Sequence, residues 1–122
     1  MEIADDRDSA QPPILTLLEI RKYAPHIINN GMEIFVDGGI RRGTDIVKAL
    51  ALGATAVGIG RPALFALSAG YGERGVRKML QILRQELQVN MALAGGSTIQ
   101  ALEAGMVNTS RLERDLVGST KL

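Results

Sequence analysis

Along this chain, stretches with apolar residues at helical spacing alternate with short runs that are almost continuously apolar. Ile14, Leu17, Leu18 and Ala24 share one helical face, with Glu19, Arg21 and Lys22 left for water. The spacing predicts a helix entered at Pro12-Pro13 and stopped by Pro25; Thr16 and Glu19, at capping-box spacing, offer a later start. Asn29-Asn30-Gly31 then reads as a turn, and Glu33 to Asp37 as a strand. Thr44 is placed to cap a second helix, with Asp45 in its first turn, Ile46, Val47, Ala49, Leu50 and Leu52 as core contacts, and Gly53 at its end. Ala54 to Gly60 is so apolar that it predicts a parallel strand, Thr55 to Ile59, covered on both faces.

Pro62 to Ala69 reads as a short helix or turn, and Gly70, Gly72 and Gly75 mark a loop. Val76, Met79, Leu80, Leu83, Leu87 and Met91 form one stripe of a long helix through Leu93, read as ordinary core, while Arg77, Lys78, Arg84 and Glu86 solvate its other faces. Gly95-Gly96 ends it. Ser97 and Gln100 have capping-box spacing before a shorter helix with Ile99, Leu102 and Ala104, closed by Gly105. Residues 106–122 read as a tail or strap with a helical turn near Ser110 to Leu116, and residues 1–11 as a flexible end.

These elements make an α/β chain of about two parallel strands with four or more helices. Two such strands leave unpaired edges and cannot close a sheet, so the chain reads as part of a larger architecture.

Composition narrows the chemistry. Net charge is only +1 and no extended basic run occurs, which argues against nucleic acid as a partner. There is no cysteine, so disulfides and thiolate metal sites are excluded. The first ten residues, MEIADDRDSA, are acidic and lack an apolar core, unlike a secretory leader, which makes an intracellular location the expectation. Lys48, Arg61, Pro62 and several glycines interrupt the most apolar region, which favours buried elements over a membrane span.

The candidate site follows from strand topology. Successive strands of a βαβ unit lie side by side with their carboxyl ends together. Gly38, Gly39 and Arg41 after the first strand, with Gly60 and Arg61 after the second, therefore meet on one face suited to an anion, most plausibly a phosphate. Arg42 reads as solvated or paired with an acid, and Asp37 can cap the loop or accept a hydrogen bond from a ligand hydroxyl. The glycines lack both the dinucleotide GxGxxG spacing and the GxxxxGK[ST] pattern. His26, the sole histidine, falls on the opposite side of the strand and reads as structural; no Ser/His/acid triad is justified. Asp5, Asp6 and Asp8 have no companion ligands, so no metal site is assigned.

The block VDGGIRRGTDIVKALALGATAVGIGRP, followed by YGERGV and a long helix ending MALAG, resembles the carboxyl-terminal part of the FMN-dependent 2-hydroxy-acid dehydrogenase/oxidase family, which includes glycolate oxidases, lactate oxidases and the flavin domain of cytochrome-linked L-lactate dehydrogenases. The resemblance covers about residues 12–105. It implies the last part of a (β/α)8 TIM barrel around strands seven and eight, incomplete as a barrel. It further implies FMN as cofactor, with Asp37, Gly38, Gly39, Ile40 and Arg41 in the first FMN-contacting loop and Gly60 and Arg61 in the second. The family oxidises a small (S)-2-hydroxy acid to a 2-oxo acid, using a histidine base and a carboxylate-binding arginine in an HGGRQ-like motif.

Here that place reads MEIADDRDSAQPP. The base and its arginine are missing, Arg7 does not replace them, and no residue of this chain is assigned a catalytic role. The expectation is a truncated or altered chain, inactive alone, that supplies the FMN-phosphate-binding part of a barrel completed by a missing fragment, with a homo-oligomer also open. Two alternatives stand beside it: another phosphate-binding TIM barrel such as the IMP dehydrogenase class, and a noncatalytic structural fragment.

Overall fold

The computed structural model describes residues 2–3 and 11–116. Three short parallel strands, β1 (Glu2–Ile3), β2 (Phe35–Val36) and β3 (Ala56–Val57), form one sheet in the order β1-β2-β3. The register pairs Glu2 with Phe35 and Ile3 with Val36, then Phe35 with Ala56 and Val36 with Val57. Between β1 and β2 run α1 (Pro13–Tyr23) and α2 (Pro25–Asn29); α3 (Gly43–Ala51) joins β2 to β3, and α4 (Arg61–Ser68) and α5 (Glu73–Ala94) follow.

The main core lies between the sheet and α1 and α3. Leu17, Leu18, Ile34, Val36, Ala49, Leu52 and Ala54 close it. Val47, Ala51, Met91 and Leu102 make a second cluster, and Ile40, Ile46 and Leu83 a third, so α5 is held mainly by α3. Period-two alternation puts Ile34 and Val36 under the helices and Phe35, 43% exposed, on the other face of the sheet.

Several elements differ from the sequence reading. Glu2–Ile3, expected in a flexible end, is a strand, because a parallel partner occupies the edge that β2 would otherwise expose. Residues 1 and 4–10 of that end lie outside the described residues, as do 117–122 of the tail. Pro25 stops α1 but also opens α2, since proline has no N–H to lose at a first helical position. Helix α3 begins at Gly43 with Arg42 at its cap position, two residues before the expected Thr44 cap, while Asp45 is in the first turn as predicted.

The strand β3 is only partly buried, because the sheet carries a helix layer on one face in this chain. Leu80, assigned to the core stripe, is 53% exposed, whereas Leu83 and Met91 of that stripe are buried. The predicted Ser97 capping box does not form. A single 3-10 turn, Ile99–Ala101, stands there with no side-chain cap, and a second turn, Ala104–Met106, includes the expected terminator Gly105. A third turn, Leu112–Asp115, lies where a helical turn was predicted, and Leu112 and Leu116 pack onto the main core.

Candidate functional site

The carboxyl ends of β2 and β3 open on one cleft of about 420 Å³, lined by Asp37, Gly38, Gly39, Ile40 and Arg41 on one side and by Gly58, Gly60, Arg61, Pro62 and Phe65 on the other. All seven residues singled out in the sequence are thus brought together. Gly38 and Gly39 turn at φ 101° and 76°, a backbone that side-chain-bearing residues rarely adopt, and the turn holds the loop over the strand ends.

The Asp37 carboxylate accepts a hydrogen bond from the Gly38 N–H at 2.7 Å, so it caps the loop. An ionised carboxylate can accept further bonds beyond that one. Ile40 packs in the core with Ile46 and Leu83 and also lines the cleft.

Two positive sources converge. Among the described residues, no carboxylate lies at ion-pair distance from the Arg41 or Arg61 guanidinium. Arg61 is also the first residue of α4, and the positive end of that helix opens on the cleft. Arg42, next to Arg41, turns elsewhere. Its Nε and a terminal nitrogen meet Glu86 of α5 at 2.9 and 2.8 Å, the acid-paired alternative foreseen for it.

That pairing shifts both groups. The Arg42 hydrogen bond, followed by one from the Gly43 N–H, holds the Glu86 carboxyl below its ordinary value, and the same bond to Glu86 raises Arg42. Glu86 was read as a solvated residue of α5; its partner is 44 residues away, and no local pattern announces it. Pro62 and Phe65 did carry a signal, since both follow Arg61 on the first turns of a helix predicted from the sequence. His26 stands exposed on α2, before the amino end of β2 and away from the cleft lining. Asp5, Asp6, Asp8 and Arg7 lie outside the described residues. Among those described, no group of three or more metal-ligating side chains occurs, and no helix is long and apolar enough to cross a membrane.

Residues 6–109 match the sequence profile of the FMN-dependent dehydrogenase family. The chain belongs to that family. Family membership selects the flavin reading over the IMP dehydrogenase class left open by the sequence. L-lactate dehydrogenase (cytochrome) of Saccharomyces cerevisiae is 47% identical over 112 residues, which make up 91% of this chain and 19% of that protein. Glycolate oxidase 3 of Arabidopsis thaliana is 45% identical over 102 residues, 84% of this chain and 26% of that protein. The flavin-binding domain of baker's yeast flavocytochrome b2 superposes with a TM-score of 0.82 at 38% identity, over 96% of this chain and 31% of that domain. A mandelate oxidase structure with benzoyl-formic acid gives 0.74 at 40% identity, over 84% and 30%. The chain therefore spans about a fifth to a third of the FMN-dependent dehydrogenases it resembles, as part of a TIM barrel and not a closed one.

Proposed function

We propose that this chain supplies the FMN-phosphate-binding part of a (β/α)8 enzyme that oxidises a small 2-hydroxy acid to the 2-oxo acid. The observation that carries the proposal is the meeting of the Gly38-Gly39 turn, Arg41 and Arg61 in one cleft with the amino end of α4. A phosphate needs donors and positive charge, with room for close approach. The glycine turn provides the room, the two guanidinium groups provide charge with directional donors, and the helix end adds a partial charge of the same sign. Asp37 would accept a hydroxyl of the same ligand on the carboxylate capacity left beside the Gly38 bond.

FMN, when bound, supplies the two-electron acceptor for the oxidation. The chain's own part is to anchor and orient its phosphate. It brings no proton acceptor of histidine type to the cleft, because His26 is on α2. A correctly placed base is needed for proton abstraction, so turnover requires the further β/α units that relatives carry beyond the matched segment. Those units also explain what the bare face of Phe35 and the partly buried β3 would pack against.

An FMN titration tests the reading, run on the folded chain alone and on the chain mixed with the remaining barrel units of a relative. Weak binding alone, tighter binding on mixing, and a loss of about tenfold or more in R61A are expected. Equal affinity of wild type and R61A in the mixed sample would sink it.

A further inference from the structure

The cleft has a support on its far side that the flavin reading does not use. Glu86, on α5, grips the start of α3: its Oε1 and Oε2 accept from Arg42 Nε at 2.9 and 3.2 Å, and its Oε2 accepts from the Gly43 N–H at 2.7 Å. Gly43 makes the grip feasible, since a side chain there would run into the Glu86 Cβ and the α5 backbone at Leu87. From the other side, Asp45 Oδ2 accepts from the N–H groups of both Arg41 and Arg42 at 3.0 Å.

The loop between the Gly38-Gly39 turn and α3 is therefore held by two carboxylates, one from its own helix and one from across the fold. Adjacent arginines in a loop can exchange roles, and either guanidinium could swing to an anion. Here Glu86 takes Arg42 with a two-pronged bond, and such charge-assisted pairs are the directional ones.

We infer that Glu86 is a positioning residue for the anion cleft: by binding Arg42 and the Gly43 amide it fixes the backbone of the Gly39–Arg42 loop and leaves Arg41 as the loop's cation for the phosphate. This rests on the flavin-phosphate reading above. Glu86 itself does not line the cleft; it acts through the loop.

Two measurements on the full chain test it. Without ligand, amide hydrogen exchange is followed at Arg41, Arg42 and Gly43, with Leu83 and Leu87 of α5 as internal references. Glu86→Ala should speed exchange by about tenfold or more at Gly43, whose N–H it accepts, and by a smaller factor at Arg42 and Arg41, whose amides Asp45 also holds, while the references stay unchanged. Glu86→Gln, which keeps an acceptor for Gly43 but not the charge, should have a smaller effect at Gly43 than Glu86→Ala, and it serves if the alanine variant does not fold. Unchanged exchange at Arg41 and Arg42 overturns the inference.

With ligand, FMN is compared with riboflavin, which lacks the phosphate. Wild type should prefer FMN, and both E86A and R61A should narrow that preference by about threefold or more. Merely structural damage would weaken both flavins alike. A preference narrowed by R61A and untouched by E86A overturns the positioning role and leaves the cleft standing; a preference untouched by either overturns the cleft reading and this inference with it. Where neither flavin binds measurably, the exchange result decides.

Discussion

Ile34 and Thr55 hold each other twice. The Ile34 N–H donates to the Thr55 hydroxyl at 3.0 Å, and the Thr55 N–H donates to the Ile34 carbonyl at 2.7 Å. The pair sits at the entry to β2 and β3 and fixes their register, which in turn brings the two glycine and arginine strand ends level at the cleft. A one-residue slip would turn the strand's side chains to the opposite face.

Thr55→Val keeps the shape and removes the acceptor. The Ile34 amide, in a residue with no exposure, would lose its side-chain partner, and a loss of about 1 kcal/mol in urea unfolding is expected. An unchanged unfolding midpoint would show that the hydroxyl bond contributes nothing to the register.

Two glycine substitutions should separate backbone strain from steric collision. Gly39→Ala places its methyl in open space and suffers from the left-handed backbone alone, about 1 kcal/mol. Gly43→Ala collides with Glu86 and the α5 backbone, so it should cost about 1–3 kcal/mol or more by forcing α3 and α5 apart. Thermal unfolding of the two variants side by side gives the ordering.

The Glu86 carboxyl predicts a pH dependence of known sign. Its value in the folded chain lies below that of an ordinary glutamate, chiefly through the Arg42 hydrogen bond and then the Gly43 N–H. A depressed carboxyl stabilises the fold above the unfolded value, and that contribution disappears as the pH falls through the folded one. Melting temperature measured from neutral pH downward should therefore drop below about pH 4.5 less steeply in Glu86→Gln than in wild type. Parallel curves would remove Glu86 from the acid response.

Along α5, Leu83 and Leu80 are three residues apart and differ in burial, 5% against 53%. Leu83→Ala should cost about 2–5 kcal/mol and Leu80→Ala less than about 1 kcal/mol. Equal losses, read by denaturant titration, would place α5 differently against α3.

The helices and the site were legible for a shared reason: both are written in local spacing. Gly38, Gly39 and Arg41 follow one strand and Gly60 and Arg61 follow the next, so the rule for parallel strand ends was enough to bring them together. What escaped depends on distant partners. Glu86 and Arg42 meet across 44 residues, and Glu2–Ile3 becomes a strand because β2 offers an edge. Leu80 shows the same limit in reverse, since its spacing promised burial that no element among the described residues provides. At Ser97 the box gives way to a 3-10 turn, Ile99–Ala101, followed directly by Leu102, which packs in one cluster with the distant Met91.

Among the described residues, every one that lines the cleft falls between Asp37 and Phe65. The described lining is thus encoded in one uninterrupted stretch, and a recombination event that carries that stretch carries all of it. On the proposed reading, the phosphate-binding cleft is accordingly a single unit of inheritance, which a crossover outside Asp37 to Phe65 moves whole.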